Sequence, residues 1–388
     1  MSAAAVPPAA RLAPIEGLRA YLALWVLFSH AMQWSGYPEE GLSGLWAWAR
    51  MGYLPVKIFM IISGFVIFHR LDAKRETAGV FLLHRFFRLY PLYLLLFLAS
   101  VPLSAERLWQ DLPAAAQIGS LEPAYAAWSA SPVIHVVLHA LMLHGLPPEW
   151  LVPAAAYAFL PPAWSITLEF QFYLLAPLLF LLATRGTPRA RLWLYGLCLL
   201  FLAGANRHLF AVLNPLSLPF FWSYFLLGVV SFHAYRHWRG RVGWPLVACV
   251  GLALFKVSGE STGLFPVCAW LVFFGLLLEA PDSAPSRVLA PLFNHPVVQY
   301  LGRISYSIYL SHWPALVAAH LLLARLGWSG AGPAHLALLT GTTLLFTLVA
   351  SAILYHAVEK PGIALGHRIA ARVFPARALP SGLAKAAS

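Results

Sequence analysis

Acidic residues are scarce in this chain: 14 aspartates and glutamates stand against 26 lysines and arginines, and charged residues make up 10% of its 388 positions. Soluble domains use about a quarter, so an ordinary soluble domain is excluded. Cysteine is nearly missing too. Cys198, Cys249 and Cys268 each sit in an apolar run, where they read as small buried hydrophobes, with no disulfide framework and no Cys-x-x-Cys pair. There is no Walker-type glycine loop, no dinucleotide fingerprint and no His-Glu-x-x-His, which removes the common nucleotide and zinc-protease readings. The 15 histidines are too dispersed to define a metal site. What abounds is apolar residue, 60% of the chain. The net charge of +12 does not point to nucleic acid, because the basic residues lie in short clusters between apolar runs, the pattern that orients a membrane protein.

Apolar segments of about the 17 to 25 residues that cross a bilayer lie at 15–34, 53–70, 82–103, 164–184, 191–206, 218–235, 242–258, 262–280, 303–325 and 334–357. Segments 191–206 and 242–258 are short, so their limits are loose. An eleventh stretch, 132–147, is interrupted by His135, His139 and His144 and closed by Pro147-Pro148. If it re-enters or lies at the surface, Arg70, Lys74, Arg75, Arg185, Arg189, Arg191, Arg236, Arg239, Arg241, Arg368, Arg372, Arg377 and Lys385 all share one side, which satisfies the positive-inside rule. Its three histidines then read as part of a wet interfacial helix over the outer mouth. The expectation is an all-α polytopic membrane protein: one bundle of about ten transmembrane helices with both termini cytoplasmic. Residues 1–14 form a cytoplasmic N-terminal segment, 15–361 the transmembrane domain and 362–388 a basic cytoplasmic tail opening with a short interfacial helix. Glu16 and Arg19 break the apolar core that a cleaved signal needs, so the first span reads as retained.

Four stretches place polar groups at membrane depth. In IEGLRAYLALWVLFSH, Arg19 and His30 are eleven residues apart; at 100° per residue they share a helix face, about 16 Å apart along the axis. Charge facing lipid is costly, so this face turns to the bundle interior or a water-filled route. Arg19 alone also fits a snorkelling interfacial arginine, and His30 a structural hydrogen bond. In PPAWSITLEFQFY the span opens at Trp164, which sets Glu169 and Gln171 about 7 to 10 Å inside its boundary. His30 lies at similar depth. A carboxylate there can orient an imidazole and stabilise its protonated form, preparing it as a general base toward a hydroxyl; a purely structural Glu169 is the plainer alternative. In HRFFRLYPLY, Arg85 and Arg88 are neighbours on one helix face and suit either flanking charge or a phosphate clamp. In LGRISYSIYLSHW, Ser305, Tyr309 and His312 form a polar stripe, which also serves to join helices in lipid. Ser63-Gly64 supplies small residues for close helix packing.

In their order and spacing these motifs resemble the integral-membrane acyltransferase-3 family, which includes bacterial surface-polysaccharide O-acetyltransferases. The resemblance covers about residues 13–361. It rests on Arg19 with ten residues to His30, Ser63-Gly64-Phe65, Arg85-Phe86-Phe87-Arg88 before Pro91, Trp164-Ser165 leading to Glu169 and Phe172-Tyr173, Leu301-Gly302 with Ser305 to Tyr309 and His312, and Glu359-Lys360-Pro361. It implies an acyl group, commonly acetyl, taken from an acyl coenzyme A co-substrate in the cytoplasm and placed on a hydroxyl of a cell-surface or lipid-linked glycan, or of a small product such as a macrolide or lipid. By the same likeness His30 is the catalytic base, Arg19 belongs to its motif, Glu169 matches a functional acidic position, and Arg85 and Arg88 form the donor-binding pair. On this reading Ser305, Tyr309 and His312 join the donor site, with Tyr309 or Ser305 steadying an oxyanion, and Glu169 assists His30. No metal, resident cofactor or nucleic-acid partner is expected. Only 27 residues follow Pro361, too few for the esterase-like domain that some members carry, so a separate extracytoplasmic partner is an option. The expected location is the bacterial inner membrane. The competing class is a secondary transporter, since polar residues at mid-membrane also serve transport.

Overall fold

The computed structural model describes residues 12–38, 43–74, 76–103, 122–189, 212–257, 263–280, 283–328 and 332–375, with single residues 192, 193, 196 and 330. Most of the expected span 191–206, Cys198, residues 104–121, Arg75, Arg191, Arg377 and Lys385 lie outside the described residues. All regular structure among the described residues is helical, as lipid demands of backbone that has no water to bond.

In chain order the helices are α1 (Ala13–Trp34), α2 (Gly44–Ala49), α3 (Tyr53–Lys74), α4 (Ala78–Leu103), α5 (Glu122–Ala130), α6 (Pro132–Ala140) and α7 (Trp164–Arg185). Then follow α8 (Leu218–Trp238), α9 (Trp244–Val257), α10 (Phe265–Leu278), α11 (Ala284–Asn294), α12 (Pro296–Arg303), α13 (Ser305–Arg325), α14 (Pro333–Leu354) and α15 (Lys360–Val373). Six described helical runs are long and apolar enough to cross a membrane: α3, α4, the run ending in α7, α8, α13, and α14 continued into α15. The 22 residues of α1 would reach about 33 Å, but Glu16, Arg19 and His30 make it the polar member of the bundle. The α9 and α10 helices pack on each other and have 14 residues each, about 21 Å against a hydrocarbon core of about 30 Å. The nine residues of α6 are too few to cross, about 14 Å, which agrees with the surface or re-entrant reading of 132–147.

Two backbone contacts position the interior. Gly64 of α3 meets Gly228 of α8 so closely that a Cβ on either would collide with a carbonyl of the partner helix, that of Phe225 or of Ile61. The expected packing role of Gly64 is therefore what the structure gives. Gly302 at the end of α12 likewise abuts the Glu16 carbonyl, which fixes the start of α1, and with it Arg19, against the α11–α12 pair.

The last span was expected to end at 357 and a short helix to open the tail. The structure has that helix, α15, with Pro361 in its first turn, and joins it to α14 in one continuous helical run from Pro333 to Val373. A single π-turn over Tyr355–Glu359 joins α14 to α15. Gly362 and Gly366 of α15 rest on Pro91 and Phe87 of α4. The histidines near α6 also differ from the wet helix expected: His135, His139 and His144 are each 0% exposed. The rings of His139 and His144 stack 4.0 Å apart, Tyr93 donates to the His139 carbonyl at 2.7 Å, and burial holds both imidazoles below the ordinary histidine range.

Candidate active site

A cavity enclosing about 930 Å³ of atom-free space, its opening included, runs between α1, α3, α4, α7, α8 and α13. Its walls are mostly apolar, and its polar side chains come from motifs far apart in sequence. Arg19, Arg85 and Arg88 are close enough to act on one another, Arg85 stands over Tyr173, which with Ser63 bonds Glu169, and one turn of α7 beyond Glu169, Ser165 meets Tyr309. Six of the eight residues singled out in the sequence therefore line one space: Arg19, Arg85, Arg88, Glu169, Ser305 and Tyr309.

The three arginines differ in what they hold. Arg19 lies 3.4 Å from Glu16, one turn earlier on α1. Arg88 forms an ion pair with Glu359, which also accepts a 2.6 Å hydrogen bond from Ser307 and is 1% exposed. Arg85 stands over the rings of Phe81 and Tyr173, 5.8 Å from each centroid, and its Nε is buried without a hydrogen-bond partner. No carboxylate is paired with Arg85 among the described residues, so of the three it presents the least compensated charge to the cavity. Just outside the bundle, Arg70 and His84 reach Glu76 at 2.9 and 3.4 Å. Burial favours the neutral acid there, but these neighbours outweigh it and hold the Glu76 carboxyl below its usual range.

Glu359 is the residue that sequence reasoning missed. It entered only as part of a terminal motif, although a lone carboxylate at the end of an apolar span was a signal that a cation had to meet it. The π-turn inserts a residue into the helix and thereby rotates Glu359 into the bundle, a recurrent feature of functional helices. Removing that carboxylate alone leaves a buried guanidinium uncompensated, at a cost of about 3–5 kcal/mol. Glu359→Ala is thus expected to lower the thermal unfolding midpoint sharply, and Arg88→Met combined with Glu359→Leu to recover much of it; an equally low midpoint in the double variant would count against the pair as the clamp between α4 and α14.

Along the cavity, Glu169 accepts from Ser63 at 2.9 Å and from Tyr173. Ser63, expected as packing, thus also makes a polar contact. Ser305 is buried on α13 with its hydroxyl unpartnered. The Tyr309 hydroxyl donates to the Pro162 carbonyl at 2.9 Å and meets the Ser165 hydroxyl at 2.8 Å, closing the end away from the arginines.

His30 and His312 lie past that end and are not cavity walls. Nδ1 of His30 is 2.8 Å from Nε2 of His312, their rings 8° from parallel with centroids 5.0 Å apart, and the His312 ring is 6.0 Å from that of Tyr309. The edge of Trp313 closes on His30 at 6.3 Å. The expected pairing of Glu169 with His30 does not form. Glu169 lines the cavity beside Ser63 and Tyr173, whereas His30 lies past the Tyr309 end, and their helices have different neighbours: α1 packs on α3, α11, α12, α13 and α14, and α7 on α3, α4 and α8. The polar stripe of α13 is what links the parts, with Ser305 and Tyr309 on the cavity and His312 one turn further against His30.

Residues 12–356 match the acyltransferase-3 family, described as an acyltransferase domain. Among similar proteins, Acyltransferase MdmB of Streptomyces mycarofaciens is 28% identical over 384 residues, covering 92% of each chain. BcsY of Komagataeibacter xylinus, provisionally named a membrane-bound transacylase, is 29% identical over 381 residues, covering 94% of this chain and 87% of its own. A protein of Staphylococcus aureus strain COL, SACOL0978, provisionally named an O-acetyltransferase, is 21% identical over 339 residues, 79% of this chain and 51% of its own length. No solved structure matches the chain.

Proposed function

The chain belongs to the acyltransferase-3 family, and from that premise we propose that it is a membrane-bound O-acyltransferase of the bacterial inner membrane. It takes an acyl group, acetyl first among candidates, from cytoplasmic acyl coenzyme A and places it on a hydroxyl of a cell-surface or lipid-linked glycan. The observation that carries this reading is the cavity with guanidinium groups at one end and hydroxyls at the other, leading toward an imidazole pair. The arginine end faces the cytoplasm, together with both termini, since Arg70, Arg236 and Arg368 also lie at that end of their helices and positive charge is retained inside. Donor phosphates meet Arg85 and Arg19, which offer paired donors to anionic oxygens. The pantetheine arm then follows the cavity past Ser63 and Glu169. Its reach matches the roughly 16 Å between Arg19 and His30 along α1.

At the far end the acceptor oxygen attacks the thioester carbonyl. His30 takes the hydroxyl proton as the carbon–oxygen bond forms, and returns it to the thiolate that leaves as the carbon–sulfur bond breaks. Tyr309 or Ser305 steadies the negative oxygen in between. For that transfer Tyr309 must leave its bond to Pro162, which opens the passage between cavity and imidazole.

The test is product chemistry. Purified protein in lipid nanodiscs, given acetyl coenzyme A and candidate glycan, macrolide and lipid acceptors, is expected to release free thiol and one acceptor heavier by an acetyl group. Movement of solute across a vesicle with no ester and no thiol would instead make the protein a transporter.

A further inference from the structure

The structure puts a second histidine where a carboxylate was expected, and we infer that His312 is the positioning residue of the base. It accepts the Nδ1–H of His30, so that the lone pair of His30 Nε2 is the one that meets the acceptor hydroxyl. This rests on the acyltransferase reading above.

The argument begins with geometry. An imidazole is a base only through its unprotonated nitrogen, and the hydrogen bond made by the other nitrogen decides which one that is. The contact between His30 Nδ1 and His312 Nε2 is 2.8 Å, and two lone pairs cannot face each other at that distance, so one proton lies between them. His312 decides the direction. It is 0% exposed, its Nδ1 is buried, and the backbone groups acting on its imidazole are the carbonyls of Ile308 and Tyr309 on its own helix. Carbonyl oxygens only accept, and Nε2 is turned to His30, so the proton of His312 is assigned to Nδ1, with Nε2 as an acceptor. His30 must then donate from Nδ1, leaving Nε2 free. The near-parallel rings, 8° apart, and the Trp313 edge at 6.3 Å hold that arrangement.

The same pairing has a chemical consequence. When His30 accepts the hydroxyl proton on Nε2 it becomes an imidazolium, and its Nδ1–H bond to the neutral His312 becomes charge-assisted and stronger. A neutral partner does this without the carboxylate that other histidine bases use. No Asp or Glu bonds to His30 among the described residues; Glu169 is taken by Ser63 and Tyr173. His312 also stands away from the cavity walls, so it acts on the base and not on the donor.

The test compares His312→Leu with His312→Gln in the full-length protein. Glutamine reaches about as far as Nε2 and can accept through its carbonyl oxygen; leucine cannot. His312→Leu is expected to lower kcat about 100-fold, the low end of what a general base contributes, with KM for acetyl coenzyme A within about twofold, and His312→Gln to restore most of kcat. A rise in donor KM with kcat intact would overturn the inference and make His312 a donor-binding residue. An independent readout needs no turnover: nitrogen-15 solid-state spectra of histidine-labelled protein, with His30 assigned by subtracting the His30→Ala spectrum. A protonated Nδ1 and bare Nε2 at His30, changed in His312→Leu, support the pairing; a protonated Nε2 in the unmodified protein overturns it. Should the unmodified protein transfer no acyl group at all, the acyltransferase reading fails, while the spectrum still decides for or against the pairing.

Discussion

Replacing His30 by alanine is expected to abolish acyl transfer, with a fall of about 1,000-fold or more in kcat, while the protein stays in the membrane and keeps its affinity for the donor. The size follows from the role: a positioned general base contributes about 10² to 10⁴, and among the described residues the only side chain hydrogen-bonded to His30 is His312, held behind it. The separation of effects follows from the architecture. His30 is not a cavity wall, whereas Arg19, Arg85 and Arg88 are, so donor phosphates lose nothing when the ring is removed. Structure survives because α1 is anchored elsewhere, by the contact of Gly302 with the Glu16 carbonyl, the bond of Gln299 to the Ala13 carbonyl at 2.7 Å and that of Trp25 to the Ala49 carbonyl at 3.1 Å. Thiol release over time and donor binding by thermal shift measure the two properties separately. Turnover at the unmodified rate would remove His30 from the chemistry, and loss of donor affinity would move it to the arginine end.

What the sequence revealed and what it hid divide along a physical line. Helices were legible because an apolar run in lipid has one way to satisfy its backbone: α3, α4, α8 and α13 lie within a few residues of the stretches read for them. Helical spacing was legible for the same reason, which is why Arg85 with Arg88, and Ser305 with Tyr309, do face one space. Pairings between helices were not. Depth could be counted from a span's end, so Glu169 and His30 were placed level, but nothing in either span told which neighbour each faced. The partner of His30 came from the polar stripe of α13, 282 residues away. Arg88 and Glu359 are 271 residues apart, and the carboxylate lies in a π-turn, which shifts the helical register and leaves no periodic trace. The buried His139–His144 stack was hidden in another way: in a short helix ended by prolines, a histidine facing water and one facing the core have the same spacing.

The arginine pair, read from sequence as one clamp, is expected to separate under mutation. Arg85→Ala should weaken acetyl coenzyme A binding by roughly 10- to 150-fold, because a hydrogen bond to a charged group contributes about 1.5–3 kcal/mol. Arg88→Ala should do less to the donor and more to the fold. The reason is what each guanidinium already holds. Arg88 is neutralised by Glu359 within a network that includes Ser307, so a phosphate must compete with a carboxylate already in place, and deleting the arginine strands that carboxylate in the interior. Arg85 lies against two aromatic rings with a buried Nε that meets no acceptor, the state of a cation whose partner arrives from outside. Arg85→Lys keeps the charge but loses the planar fork, and an intermediate affinity is expected for it. Donor binding measured against ionic strength adds a second check, since removing a phosphate contact should flatten the salt dependence. Equal losses of affinity in the two alanine variants, with equal stability, would mean that Glu359 yields Arg88 freely to the donor, and the clamp would then be the symmetric pair that the sequence first suggested.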